Sequence, residues 1–310
     1  MAFLFGTTLF DPVEWLDALK RALPGTEFRV WPDRIGRHED IEYLLLQNSI
    51  KFDYAACPNL KAIFTFGAGV DHVLKNPALP KHVPIVRMPA EGMVRNMTHY
   101  VLYGVLHFHR NFHVFQAAQR QAKWSDLRES TPAARAVGVL GLGELGGDAV
   151  RALADQGFKT LGWSRRPRTI PGVRTFDGPD GLDAMLAETD ILVGLLPLTP
   201  ETTGLINARA LAKLRRGAFV INAGRGPQIV DTDLIAALDS GQIAGAMLDV
   251  FVTEPLPADH PYWRHPKVVV TPHIASWNNV GSAAEHVAVN VRRIQAGERP
   301  HPVVDRASGY

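Results

Sequence analysis

The chain has 310 residues, of which 46% are hydrophobic and 21% charged. That suits two ordinary domains and excludes a disordered, collagen-like or coiled-coil polypeptide. Lys and Arg total 33 against 31 Asp and Glu, a formal charge of +2, which argues against nucleic acid as a partner; the single cysteine, Cys57, excludes an intrachain disulfide and a cysteine-rich metal site.

The apolar start Met1–Phe10 lacks the basic residues that open a signal peptide, and Asp11-Pro12 ends it, so it reads as a first strand. Phe3–Phe5 is strand-like, Pro12–Ala22 has helical spacing, and Phe28–Trp31 is strand-like again. Tyr43–Leu46 and Ala62–Phe66 are short apolar runs of the kind buried in parallel sheets. Pro77, Pro80, Pro84 and Pro89 follow as punctuation, and a long helix is expected from about Asn96 to Gln121. Met97, Val101, Val105 and Phe108 form its apolar stripe.

A second unit starts near Ala136. Strands are expected at Ala136–Leu140, Thr160–Trp163, Ile191–Leu195, Ala218–Asn222, Gly245–Asp249 and Val268–Thr271. Helical stretches separate them at Glu144–Gln156, Asp180–Ala187, Ala208–Leu214 and Asp231–Ser240, and Gly281–Gln295 forms a final helix. Strand and helix in alternation imply an α/β protein with doubly wound parallel sheets. No apolar run approaches the roughly 20 residues of a membrane span. The expectation is a cytoplasmic chain with no membrane partner.

Gly141-Leu142-Gly143-Glu144-Leu145-Gly146 matches GxGxxG between a strand and a helix, the setting that gives this pattern meaning. Gly141 permits the tight turn, Gly143 lets a pyrophosphate approach the backbone, and Gly146 lets helix and strand pack closely. The helix N-terminus at Glu144 and Leu145 offers N–H groups to phosphate. The next strand should end on the residue that reads the adenosine ribose. NAD-binding versions carry Asp or Glu there, whereas this chain has Trp163-Ser164-Arg165-Arg166. A 2′-phosphate suits Ser164 as a donor and Arg165 or Arg166 as charge partners, so NADPH is expected over NADH. The plain alternative is a solvated arginine pair.

Three later strand ends carry polar groups: Asn222–Gly226, Asp249–Pro257 and Thr271–His273. Ligands of doubly wound sheets sit at the carboxyl ends of strands, so Arg225, Glu254 and His273 are expected to converge near the nicotinamide. Singly, each has a bland role: His273 as a turn histidine, Glu254 as a cap or surface charge, Arg225 as a phosphate ligand. Together they fit one mechanism.

These motifs, with Gly141–Gly146, resemble the D-isomer-specific 2-hydroxyacid dehydrogenases over nearly the whole chain. Phe66–His72, Trp163–Arg166 and Asp305–Tyr310 are similar to the branch of bacterial glyoxylate/hydroxypyruvate reductases that prefer NADPH. The resemblance implies two Rossmann-like or flavodoxin-like α/β domains with the active site in the cleft between them. It implies a substrate domain from residues 1–97 and 277–310, with an NAD(P)-binding domain at 98–276. It also implies reduction of a small 2-keto acid to a D-2-hydroxy acid. His273 would give the proton, Glu254 would orient it, and Arg225 would bind the carboxylate and polarise the carbonyl. Ala68 and Gly69 would complete the carboxylate site with backbone amides, Asp249 would contact the nicotinamide amide, and Pro197 and Ala223 would line the cofactor. Trp277 could wall the substrate pocket. The resemblance and the apolar helix stripe point to a homodimer, and no metal is expected. A second reading stays open at this stage: relatives of this family act as NAD(H)-sensing co-repressors, in which binding without turnover is the function.

Overall fold

In a computed structural model, the described residues are 2–7, 11–46, 50–67, 69–74, 76–88, 91–128, 130–277 and 279–306. Ala68 and the chain end 307–310 lie outside them. The chain divides into two compact units, Met1–Met93 with Trp277–Tyr310, and Val94–Ser276.

The first unit contains β1 (Ala2–Gly6), α1 (Pro12–Ala22), β2 (Glu27–Val30), β3 (Ile41–Leu46), β4 (Ala62–Phe64), α2 (Asp71–Leu74) and β5 (Ile85–Val86). Its sheet runs β2-β1-β3-β4-β5, every pair parallel. Asp11 starts α1 by accepting from the Val13 amide at 2.9 Å, with Pro12 in the first turn, where its missing N–H costs nothing. The helix buries Trp15, Leu16, Ala18 and Leu19 toward the sheet.

The second unit opens on a helix that differs from the sequence expectation. In place of one helix over 96–121 there are two, α3 (Glu91–His109) and α4 (Phe112–Arg120). Asn111 between them adopts the left-handed conformation, φ 55°, which its short polar side chain tolerates and which no helix can continue through. The stripe Met97, Val101, Val105 and Phe108 is buried in the unit's own core, so it is not a face open to a second subunit.

The chain continues through β6 (Ala136–Leu140), α5 (Glu144–Asp155), β7 (Lys159–Ser164), β8 (Arg174–Asp177), α6 (Gly178–Glu188), β9 (Ile191–Gly194), α7 (Ala208–Lys213), β10 (Ala218–Asn222), α8 (Asp231–Asp239), β11 (Ile243–Leu248) and β12 (Val268–Val270). The parallel sheet runs β12-β11-β10-β9-β6-β7-β8. Strand order reverses between β6 and β9, a switch point of the kind where doubly wound sheets bind ligands. Neither β5 nor β8 announces itself in the sequence. The first is two residues among prolines, and the second is a half-exposed edge strand with no apolar run. The chain then returns to the first unit with α9 (Val280–Gln295), which buries Ala283, Ala284, Val287, Ala288 and Val291 in one core with the α1 residues. Among the described residues, no helix is long and apolar enough to cross a membrane, and no group of His, Cys, Asp or Glu could hold a metal ion.

Candidate active site

The glycine turn after β6 is shaped for a phosphate group. Gly141 has φ +98°, and a Cβ there would lie 2.8 Å from the Leu195 carbonyl oxygen. A Cβ on Gly146 would lie 1.8 Å from the Gly141 oxygen, so only glycine lets α5 leave the strand this closely. Above Gly143 the space is open, with nothing within 4 Å of an added Cβ. Glycine is thus demanded at two positions by the protein and leaves room at the third for a ligand. Glu144 and Leu145 form the first turn of α5, and Glu144 is exposed. These residues fit the pyrophosphate of a dinucleotide at the helix N-terminus.

At the end of β7, Trp163 is buried and donates from its indole to the Gly178 carbonyl at 2.8 Å. Ser164 donates to the Arg166 carbonyl at 2.7 Å, closing a small turn that presents Arg165 and Arg166 to solvent. Sequence reasoning passed over Glu201, which lies near enough to feel the Arg165 charge. Hydrogen bonds from Thr199 and from its own backbone hold the Glu201 carboxyl below its ordinary range. A small burial cost opposes them, and Arg165 adds to them.

His273 lies in a turn after β12 whose geometry is fixed by a buried acid. Its backbone is left-handed, φ 55°, a strained conformation for a residue with a side chain. The His273 amide donates to the Asp249 carbonyl at 2.9 Å. Asp249, 1% exposed, spends both carboxylate oxygens on the same turn. One accepts from the Thr271 hydroxyl at 2.6 Å and the Ile274 amide at 2.9 Å, the other from the Ala275 amide at 2.8 Å. In the structure its visible work is to hold the His273 turn.

His273 and Glu254 meet at 2.7 Å through Nδ1 and Oε2, while the other Glu254 oxygen accepts from the Phe251 amide at 2.9 Å. Burial pushes the Glu254 carboxyl up, but the bonds from His273 and Phe251, with the His273 and Arg225 charges, outweigh it and leave the group below its ordinary value. Glu254 is thus held as the anion that a charged imidazole needs. Arg225, whose Nη1 donates to the Gly224 carbonyl at 2.8 Å, adds its charge to those that favour the Glu254 anion.

The loop carrying Arg225 is set by neighbours whose part the motif alone does not disclose. Asn222, fully buried, accepts from the Gly224 amide and donates to the Arg225 carbonyl, each at 3.1 Å. A Cβ on Gly226 would lie 1.9 Å from the Phe251 carbonyl carbon, so glycine there lets the β10 loop touch the β11 loop that bears Glu254. Gln228 donates to the carbonyls of Leu196 at 2.8 Å and Pro197 at 3.0 Å. Pro197 is thereby held beside this loop, and Ala223 is buried at its base. Arg225, Glu254 and His273 follow neighbouring strands of one sheet, β10, β11 and β12, and His273 and Glu254 are in direct contact. Gly69 and Trp277 belong to the other unit, where Trp277 is exposed.

Residues 102–275, more than half of the chain, match the family model for the D-isomer specific 2-hydroxyacid dehydrogenase, NAD binding domain. The chain is 39% identical over 315 aligned positions to a glyoxylate/hydroxypyruvate reductase A of Serratia proteamaculans, covering all of both proteins. Its structure resembles that of a D-isomer specific 2-hydroxyacid dehydrogenase of Xanthobacter autotrophicus solved with NADPH and MES. The TM-score is 0.95 at 42% identity, covering 100% of this chain and 99% of that one. It also resembles an NADPH-dependent glyoxylate/hydroxypyruvate reductase of Sinorhizobium meliloti solved with NADP and sulfate, with TM-score 0.93 and 40% identity over the whole of both chains. With a glycine turn built for a dinucleotide and a histidine–carboxylate pair beside an arginine, the chain belongs to the D-isomer-specific 2-hydroxyacid dehydrogenase family.

Proposed function

We propose that the protein reduces a small 2-keto acid, of the glyoxylate or hydroxypyruvate kind, to a D-2-hydroxy acid at the expense of NADPH. The observation that carries this reading is the His273–Glu254 pair, made at 2.7 Å beside Arg225 in the unit that also bears the glycine turn. When bound, the reduced nicotinamide supplies the hydride. The chain's own residues supply the rest. Nδ1 of His273 is committed to Glu254, so the proton to be transferred is held at Nε2, aimed by a ring whose orientation the carboxylate fixes. Glu254 favours the charged imidazole before transfer. Arg225 grips the substrate carboxylate with a guanidinium fork and draws electron density from the adjacent carbonyl. One hydride at carbon and one proton at oxygen turn C=O into CH–OH, and the nicotinamide leaves oxidised.

Arg165 and Arg166 select NADPH, with the absence of a carboxylate at the end of β7 as support. Ser164 is a weaker candidate for the 2′-phosphate, since its hydroxyl proton goes to the Arg166 carbonyl. Asp249 contributes to the cofactor site by holding the turn after β12. The unit Val94–Ser276 is then the cofactor domain, and the unit built from both chain ends the substrate domain. Parts for Ala68 and Gly69 in substrate binding rest on the family resemblance alone, and that for Trp277 rests on its place just beyond His273 in the chain. The protein works in the cytoplasm as a homodimer. The second-subunit contact is made by exposed apolar side chains outside the buried stripe: Tyr103, Leu106 and Phe112 of α3 and α4, and Trp124, 95% exposed. The sensor alternative has no observation of its own in its favour.

A panel of 2-keto acids assayed with NADPH and with NADH tests the reading. Keto-acid-dependent NADPH oxidation is expected, falling about 10²-fold or more in His273→Ala with cofactor binding retained. Cofactor binding without turnover on any member of the panel, or near-normal turnover in His273→Ala, would overturn it.

A further inference from the structure

We infer that Tyr100, on α3, is a positioning residue for the proton donor, acting through Thr271 and Asp249 on the backbone turn that carries His273. The inference rests on the reading of His273 as that donor.

Hydrogen-bond valence sets the direction of the bonds that link these groups. The Tyr100 and Thr271 hydroxyls lie 2.8 Å apart, and Thr271 lies 2.6 Å from the Asp249 carboxylate. A carboxylate offers only acceptors, so the single Thr271 proton goes to Asp249. The phenol of Tyr100 must therefore donate to Thr271. The result is a directed chain, Tyr100 O–H to Thr271 O–H to Asp249, in which each bond polarises the next. Burial pushes the Tyr100 phenol up, so it stays protonated and able to donate throughout the working pH range. The chain ends on the carboxylate that also grips the Ile274 and Ala275 amides on the far side of His273. The turn is thus held on both sides of a residue in a left-handed conformation. Such strain persists only where the surroundings over-determine it.

Position along the chain adds a second argument. Tyr100 follows the passage from the first unit to the second, at Met93–Val94, by less than two helical turns. The turn Thr271–Ala275 immediately precedes the return passage at Ser276–Trp277. The hydroxyl chain therefore ties together the two places where the polypeptide enters and leaves the second unit. Nothing in the nucleotide or keto-acid chemistry requires a phenol there, which is why the motif search passes over Tyr100.

The test uses the full-length protein with NADPH. Tyr100→Phe removes one oxygen and Thr271→Val one hydroxyl, both at nearly constant volume. Each is expected to lower kcat about 3- to 10-fold while the dissociation constant for NADPH stays within about twofold. Tyr100→Phe should cost little further in the Thr271→Val background, since both cut one chain. The second readout needs no turnover: the downfield NMR resonance of the His273 Nδ1 proton shared with Glu254 should shift upfield and broaden in both variants. An unmoved resonance, or effects that add in the double variant, would overturn the inference. Failure of the proton-donor reading would show separately, as retained turnover in His273→Ala, and leaves the resonance test standing.

Discussion

A handful of side chains decide what this molecule can do, and the most constrained of them is His273. A left-handed non-glycine backbone costs of order 1–3 kcal/mol, and the Asp249 carboxylate, 1% exposed with three donors, is what the fold sets against it. Asp249 also shows how far a motif can be read. The family resemblance implies that it meets the nicotinamide amide, whereas the hydrogen bonds of its carboxylate among the described residues go to the His273 turn. Which groups satisfy a buried carboxylate depends on a turn 22 residues further along the chain, and no local pattern states that. Arg165 and Arg166 are the opposite case. The missing acid at the end of β7 is visible in the sequence, because a ribose reader must sit at a strand end. The carboxylate of Glu201 nearby is not, since it arrives from a different loop. Hydrogen bonds to a charged group are worth about 1.5–3 kcal/mol each. Replacing both arginines by alanine should therefore cost about 10²-fold or more in kcat/KM for NADPH and leave NADH nearly unaffected. Steady-state kinetics with the two cofactors checks this; equal losses for both would remove the arginines from 2′-phosphate recognition.

Among the secondary-structure elements, strands buried on both faces were plain from their apolar runs, and β6 and β10 fall on the expected residues. Short or half-exposed strands such as β5 and β8 owe their existence to neighbours rather than to pattern. The break between α3 and α4 illustrates a related blindness: the apolar spacing runs on, but Asn111 takes a conformation that only the folded context selects. That junction encloses His107, 3% exposed, and His113, with ring centroids 6.0 Å apart amid Phe108, Phe112 and Phe219. His107 Nε2 and His113 Nδ1 have no hydrogen-bond partner among the described residues. Burial lowers the pKa of both. The mutual proximity lowers that of His107 further, while a bond to the His107 carbonyl partly offsets the effect for His113 and Arg135 adds to it. Below the ordinary histidine value of 6.5, the unfolded chain takes up protons that the folded chain refuses. Stability is therefore lost as pH falls from about 6.5 through the lower folded values. The melting temperature should drop between pH 7.5 and pH 5.5, and the drop should shrink when both histidines are replaced by glutamine. A pH dependence identical in that variant would show that the pair does not titrate in this window.

On the scale of the whole molecule, the near-balanced charge leaves room for local features: Arg165 and Arg166 stand together, exposed, after β7, and Tyr103, Leu106, Phe112 and Trp124 form one run of exposed apolar side chains. The homodimer proposed above predicts sedimentation at twice the 34.0 kDa of one chain, and Trp124→Glu with Phe112→Glu should convert it to a monomer without unfolding it. A wild-type protein that sediments as a monomer at micromolar concentration would refute the dimer. The interleaving of the chain has a further consequence for its birth. The core that holds Trp15 and Leu19 of α1 is completed by Val287 and Val291 of α9, nearly the whole chain later in synthesis. A ribosome releases the first unit's strands long before the helix that covers them, whereas Val94–Ser276 emerges as one uninterrupted stretch. The middle of the polypeptide can thus finish first, and the leading segment must wait with its apolar face uncovered until the last turns of the chain arrive.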